Sequence, residues 1–252
     1  MTVPLTRPAT PDGLFLWVMH RFAEVFEDHA VVKGGLALRL LDCPRSTTDI
    51  DYVFVPFRSK KDIAERIESV LREIEGARIS VDVHSKMLRA RVQVDSAEIQ
   101  VEASVDTDTS TIPLSTAGFA SAQGQPPRIV RAMSLDVALA HKLAAWNERR
   151  LLRDLYDTYF LSARLGETPD REVLSQRLAR VESRLPHLRK RSSMELHELG
   201  EELRGAAAEL AEDDVRAELA AVLPEEELVG LVPRLRAAVV RIAEILEEPG
   251  SE

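Results

Sequence analysis

The sequence predicts an α+β protein with a strand-rich first part and an all-helical remainder. Three observations carry that expectation. Five strand-like runs fall between residues 31 and 105. From Ser134 onward the apolar residues recur only at helical spacing. The composition, 45% hydrophobic and 30% charged, is that of an ordinary folded chain. The change of pattern places a boundary near residue 130 and gives two expected domains, 1–130 and 131–252.

A leader with prolines and threonines is expected to be mobile. Apolar residues from Leu14 to Phe26 then predict an amphipathic helix. Next comes a βαβ-like stretch: a short strand at Val31 and Val32, a turn at Gly34 and Gly35, a helix from Ala37 to Leu41, and the strand DIDYVFV from Asp49. A helix is expected from Ser59 to about Glu75. Three strands follow it, RISVDVH, LRARVQV and EIQVEASV, with Asp95 and Ser96 turning between the last two. Beyond the boundary, helices are expected over 134–149, 154–165, 170–184, 194–221 and 225–248, punctuated by Gly166, Pro169, Pro186 and Pro224.

Charge is divided unevenly. Residues 192–252 hold 16 Asp or Glu against 5 Arg, a net of -11, so the rest of this chain of net charge -9 is close to neutral. The overall acidity therefore does not exclude nucleic acid from the first three quarters. No apolar run approaches the roughly 18 residues of a membrane span, and the start has no apolar secretory core. The single Cys43 has no cysteine to pair with. The expectation is a cytoplasmic protein with no membrane contact, in which Cys43 is a small buried side chain.

The segment with chemical content runs from Lys33-Gly34-Gly35-Leu36 to Thr48-Asp49-Ile50-Asp51. On a strand, Asp49 and Asp51 project from one face and Ile50 and Tyr52 from the other. Two adjacent carboxylates repel, so the pair is either a solvated edge or a seat for a cation such as Mg²⁺, which prefers oxygen ligands. A Gly-Gly turn ahead of a helix lets backbone N–H groups approach a phosphate.

These residues resemble a known family. KGGLALRLL with RSTTDIDYV is similar to the first motif of the DNA polymerase β-like nucleotidyltransferases, most closely the AbiEii-type toxins of toxin–antitoxin pairs. Lys142, Arg149-Arg150 and Arg153-Asp154-Leu155-Tyr156-Asp157 resemble the later Lys, Arg and Arg-Asp-x-x-Asp signature. The resemblance implies a nucleotidyltransferase domain with a mixed sheet, followed by a helical domain that completes the active cleft. It implies an NTP-dependent enzyme in which Asp49 and Asp51 bind Mg²⁺, Gly34 and Gly35 approach the nucleotide, and Lys142 contacts the triphosphate. Glu102 matches a third metal-binding carboxylate, its bland alternative being an outward, solvated Glu. Lys142 has a solvated helix face as its alternative. Asp157 matches the last acidic position, where it orients the lysine or the nucleophile, and Asp154 either belongs to the signature or caps its helix. The family often has Ser or Thr after the glycines. This chain has Leu36, which argues for weaker triphosphate binding.

By resemblance the acceptor is the 3′ end of a tRNA, and a cognate antitoxin opposes the reaction. The basic run Arg177, Arg180, Arg184, Arg189, Lys190 and Arg191 either tracks an RNA backbone or is a solvated face. A small-molecule acceptor, as in antibiotic adenylyltransferases, keeps the same chemistry. A non-catalytic subunit that retains the fold is the rival of another class. Leu196, Leu199, Leu203 and Leu210 form a stripe expected in a helical core, and His20, His29, His84 and His187 have no metal-ligand spacing.

Overall fold

The computed structural model describes residues 7–85, 87–183, 185 and 193–248. The chain divides into two compact units, Met1–Ser134 and Leu135–Glu252.

The first unit is an α+β layer built on a seven-stranded mixed sheet. Its first helix, α1 (Pro11–Phe26), starts three residues earlier than apolar spacing alone suggests, because Thr10 caps it. The Thr10 Oγ1 accepts from the Gly13 N–H at 3.0 Å, and Pro11 opens the first turn, where its missing N–H costs nothing. The expected amphipathic helix is in fact buried over eight consecutive residues, Gly13 to His20.

The strands are β1 (Ala30–Lys33), β2 (Asp49–Phe54), β3 (Arg78–Val83), β4 (Leu88–Val94), β5 (Ala97–Val105), β6 (Thr111–Ser115) and β7 (Ile129–Met133). Between them lie the helices α2 (Gly34–Arg39), α3 (Lys61–Leu71) and α4 (Ala117–Ala122). The strand order is β3-β4-β5-β2-β1-β7-β6, with β2–β5 and β1–β7 parallel and the other pairs antiparallel. The βαβ-like reading is corrected here. The chain from β1 to β2 returns antiparallel, with Lys33 opposite Asp51 and Val32 opposite Tyr52, so α2 is an excursion and not a crossover.

Alternate residues send Val32, Ile50, Tyr52, Phe54, Val101 and Ala103 into one core together with α1 and α3. Tyr52 and Phe54 pack there against Phe22 and Phe26 at centroid separations of 4.9–6.0 Å. Asp49 and Asp51 have the opposite parity, so the core that anchors β2 leaves their face for other uses. The sheet is extended by β6 and β7, which sequence periodicity did not predict. Pro113 obscures β6 and is tolerated because β6 is an edge strand.

His20 on α1 is fully buried, and its Nε2 lies 2.8 Å from Thr116 Oγ1. That hydroxyl is also 3.2 Å from the Arg128 carbonyl, to which it donates, so His20 donates through Nε2, and its Nδ1 meets no partner among the described residues. Burial, aided by the positive charge of Arg128, pushes its pKa down to about 4. The unfolded chain takes up this proton near pH 6.5 and the fold does not, so the contribution is complete above pH 6.5 and lost as the pH falls towards 4. At about 1.4 kcal/mol per pH unit, the wild type should lose about 2–3 kcal/mol more than a His20→Gln variant between pH 6.5 and 4.5. Urea midpoints of the two proteins at both pH values check this. A constant difference would contradict the burial of a neutral imidazole.

Among the described residues the elements of the second unit are all helices: α5 (Leu135–Arg149), α6 (Leu152–Tyr159), α7 (Arg171–Leu178), α8 (Leu196–Glu209), α9 (Glu212–Leu219), α10 (Glu225–Leu228) and α11 (Leu231–Glu247). A π-helical turn, Phe160–Arg164, prolongs α6. Two long expected helices are each divided. The stretch 194–221 breaks where Leu210 turns to extended backbone, and 225–248 breaks at Gly230, whose φ is +63°. Helix α7 stops at Leu178, short of the expected 184. Leu199 and Leu203 are fully buried and Leu210 nearly so, as a core stripe requires. No described helix is long and apolar enough to cross a membrane.

Candidate active site

In the first unit, β2 carries Asp49 and Asp51, half-buried and on the same side of the sheet. The parallel register with β5 places Glu102 beside Asp51 and Gln100 beside Asp49. The loop before β2 holds the strand start: the Thr47 hydroxyl lies 3.3 Å from the Asp49 N–H and 3.2 Å from its carbonyl, and the Thr48 hydroxyl is 3.5 Å from the Asp49 carboxylate. Arg45, almost buried, donates to the Ser46 carbonyl at 3.2 Å and reaches the space next to Gly35.

The glycines have a reason that spacing could not supply. Gly34 has a φ of +70°, and a Cβ there would overlap the Asp51 carboxylate, at 3.0 Å from Cγ. A Cβ on Gly35 would come within 2.6 Å of the Arg45 guanidinium and 3.3 Å of Thr47. Gly34 therefore makes room for Asp51, whatever else its backbone meets. Leu36 is fully buried and belongs to the core of the first unit, so the position where the family often has a hydroxyl points into hydrocarbon here.

Glu102 is held by β4. The register pairs Arg89 with Glu102, and the Glu102 Oε1 accepts from Arg89 Nε at 3.0 Å, Arg89 Nη2 at 2.7 Å and Gln100 Nε2 at 2.8 Å. Among the described residues no three His, Cys, Asp or Glu side chains converge as a ready metal site. The donors still suit a hard cation, since Asp49 and Asp51 offer only oxygen from a shared face.

The second unit brings together the later signature. Lys142 on α5 places Nζ 2.6 Å from Asp157 and 3.9 Å from Asp154, both on α6. Both carboxylates are buried, whereas Lys142 remains 15% exposed. Asp154 does not cap its helix: α6 starts without a side-chain cap, and the Asp154 carboxylate takes both arms of the Arg149 guanidinium at 2.7 Å. Arg150, at φ +55°, ends α5, stacks on Trp146 at 4.2 Å and pairs with Glu202 at 3.1 Å.

Of the basic run, two residues are described. Arg177 is tied to His141 at 2.8 Å and to Glu148 at 3.0 Å, and Arg180 is exposed. Arg184, Arg189, Lys190 and Arg191 lie outside the described residues, as does His187. A cavity of about 630 Å³ in this unit is bordered by Trp146, Arg150, Glu198, Glu201, Glu202 and Asp214. Its carboxylates make it a poor seat for a triphosphate. Nothing in the apolar periodicity announced it.

The sequence pattern of the nucleotidyltransferase AbiEii toxin family, of type IV toxin–antitoxin systems, matches residues 17–241. The chain belongs to the AbiEii family. It is accordingly a nucleotidyltransferase of a toxin family. No curated protein matches it by sequence. Among solved structures, it is similar to MenT4, a nucleotidyltransferase toxin from Mycobacterium tuberculosis H37Rv. The TM-score is 0.58 and the identity 15%, over 96% of this chain and 84% of that one. It is also similar to a candidate nucleotidyltransferase from H. pylori, with a TM-score of 0.52 and 16% identity, over 95% of this chain and 97% of that one. At these identities the likeness speaks for the fold.

For an AbiEii enzyme the Gly34 geometry carries an expectation. Gly34→Ala places an L residue in the left-handed region, at about 1–2 kcal/mol, and displaces the Asp51 carboxylate. A misplacement of about 1 Å costs on the order of 10²-fold in rate, so turnover should fall far more than stability. Gly35→Ala should be milder, since the mobile end of Arg45 can move away. Measured kcat and melting temperature of both variants check the ranking.

Proposed function

We propose that this AbiEii protein transfers a nucleoside monophosphate from an NTP to an acceptor hydroxyl with Mg²⁺ at Asp49 and Asp51, and that the acceptor is the 3′ end of a tRNA. The observation that carries the reading is the pair Asp49 and Asp51, half-buried on one face of a central strand anchored by an aromatic core, with Gly34 shaped around Asp51. Two half-buried carboxylates on one strand face repel, and a cation between them offsets that repulsion.

Bound Mg²⁺ would polarise the phosphoryl group and offset its developing charge. Asp49 and Asp51 hold the cation, and Glu102 is the proposed third ligand. Gly34 and Gly35 are proposed to let the backbone approach the nucleotide, although Leu36 supplies no hydroxyl. Lys142 is the cation proposed for the triphosphate, oriented by Asp157 at 2.6 Å. The family's toxin–antitoxin character supports a cognate antitoxin, and the RNA acceptor is proposed by resemblance. The cytoplasm is the proposed setting for such a reaction.

The test is incubation of the full chain with each α-labelled NTP and total RNA, with and without Mg²⁺. Label in tRNA-sized product, lost on chelation, is the expected result. Label in a small product would replace the RNA acceptor by a small molecule. Undiminished transfer in a chelator would overturn the metal reading.

A further inference from the structure

The registers of four neighbouring strands align one residue from each into a row across the sheet. Arg89 on β4 is paired with Glu102 on β5, Glu102 with Asp51 on β2, and Asp51 with Lys33 on β1. Residues paired in register share a face, at Cβ separations of about 4.5–5.5 Å. The row therefore reads cation, carboxylate, carboxylate, cation, on the side opposite the core. The next row on this face holds Arg91, Gln100 and Asp49.

Like charges at adjacent positions repel, and Glu102 relieves its share by facing Arg89. Its Oε1 receives three donors, two of them from the Arg89 fork at 3.0 and 2.7 Å and one from Gln100 at 2.8 Å. Glu102 is the more buried partner, with a side chain 17% exposed against 42% for Arg89. Among the described residues no three-carboxylate cluster is formed, although Glu102 stands next to Asp51 in register.

We infer that Arg89 is a positioning residue that latches Glu102 away from Asp51 until a divalent cation competes for the carboxylate. The inference rests on the proposed metal site at Asp49 and Asp51 and adds to it a residue outside every motif of the sequence. Arg89 competes with the cation for Glu102. Losing the fork should therefore favour metal binding, whereas losing Glu102 should weaken it. A partly exposed bidentate pair is screened, so the expected effect is moderate, about tenfold in affinity.

The test is Mn²⁺ binding to the full chain without NTP, followed by the electron paramagnetic resonance signal of free Mn²⁺. Arg89→Gln should tighten binding about tenfold, Glu102→Gln should weaken it by a similar factor, and the double variant should match Glu102→Gln alone. Arg91→Gln removes a cation from the next row of the same face and controls for charge alone; it should change affinity less than threefold. Should Arg89→Gln fold poorly, Arg89→Lys keeps the charge but not the fork and should still tighten binding. Equal tightening by Arg91→Gln would overturn the latch, as would an Arg89→Gln effect that persists without Glu102. Asp51→Asn separates the two readings. If it leaves Mn²⁺ affinity unchanged, the metal site itself fails and the latch with it. If it abolishes binding while Arg89→Gln changes nothing, only the latch fails.

Discussion

Asp49→Asn and Asp51→Asn should each lower nucleotidyl transfer by about 10³-fold or more, equivalent to roughly 4 kcal/mol of transition-state stabilisation. Each change removes one charge and keeps the shape. The core under β2 is made by Ile50, Tyr52 and Phe54, which these substitutions do not touch. Stability should therefore move by no more than about 1 kcal/mol, and relief of repulsion between the two carboxylates acts in the stabilising direction. Asp51→Asn should be the more severe, because Asp51 is the carboxylate that Gly34 is shaped around and that lies between Lys33 and Glu102 in register. Label transfer at saturating Mg²⁺, together with melting curves, checks both halves. Wild-type turnover in either variant would remove these residues from the metal site.

The sheet was legible where strands alternate cleanly. The runs at β2, β4 and β5 carry a buried residue at every second position, and all three are where period-two alternation places them. Two later strands were not legible. β6 is five residues long and contains a proline, and β7 has only Val130, Ala132 and Met133 buried, so neither offers a full alternating pattern. Antiparallel return from β1 to β2 was hidden for another reason. A short helix between two strands has the same local pattern whether or not the chain crosses over, and only the pairing of β1 with β2 themselves decides the direction. Helix breaks at Leu210 and Gly230 were hidden because the leucine and valine spacing continues through them.

The candidate site was legible to the extent that its chemistry lies in adjacent residues. Asp49 and Asp51 share a face because a strand has period two, and that needs no tertiary knowledge. The permissive backbone of Gly34 is legible in the sequence, but its clearance of Asp51 depends on a register with a residue 17 positions away. Arg89 was invisible. It lies in a plain alternating strand, and only the pairing of β4 with β5 brings it to Glu102. The surroundings of Arg177 were equally illegible: its contacts with His141 and Glu148 come from α5, 29 to 36 residues away in sequence.

Lys142→Met should be strongly destabilising as well as inactivating, which a solvated lysine would not be. The Lys142 ammonium lies 2.6 Å from Asp157, whose side chain is fully buried. Removing one member of a buried ion pair costs about 3–5 kcal/mol, because the remaining charge keeps its desolvation penalty. Asp154 keeps its bidentate partner in this variant, since Arg149 holds both its oxygens at 2.7 Å. Replacing both partners, as Lys142→Met with Asp157→Leu, removes the buried charges together and should recover most of the lost stability. Catalysis should not recover, because the double variant still lacks the cation proposed for the triphosphate. The protein has two tryptophans, Trp17 in α1 and Trp146 in α5. Urea unfolding followed by Trp146 fluorescence in a Trp17→Phe background therefore reports on the helical unit that holds the pair. A Lys142→Met variant that unfolds at the parent midpoint would show that Asp157 does not depend on the lysine charge. A double variant with restored stability and restored NTP turnover would assign Lys142 a purely structural part.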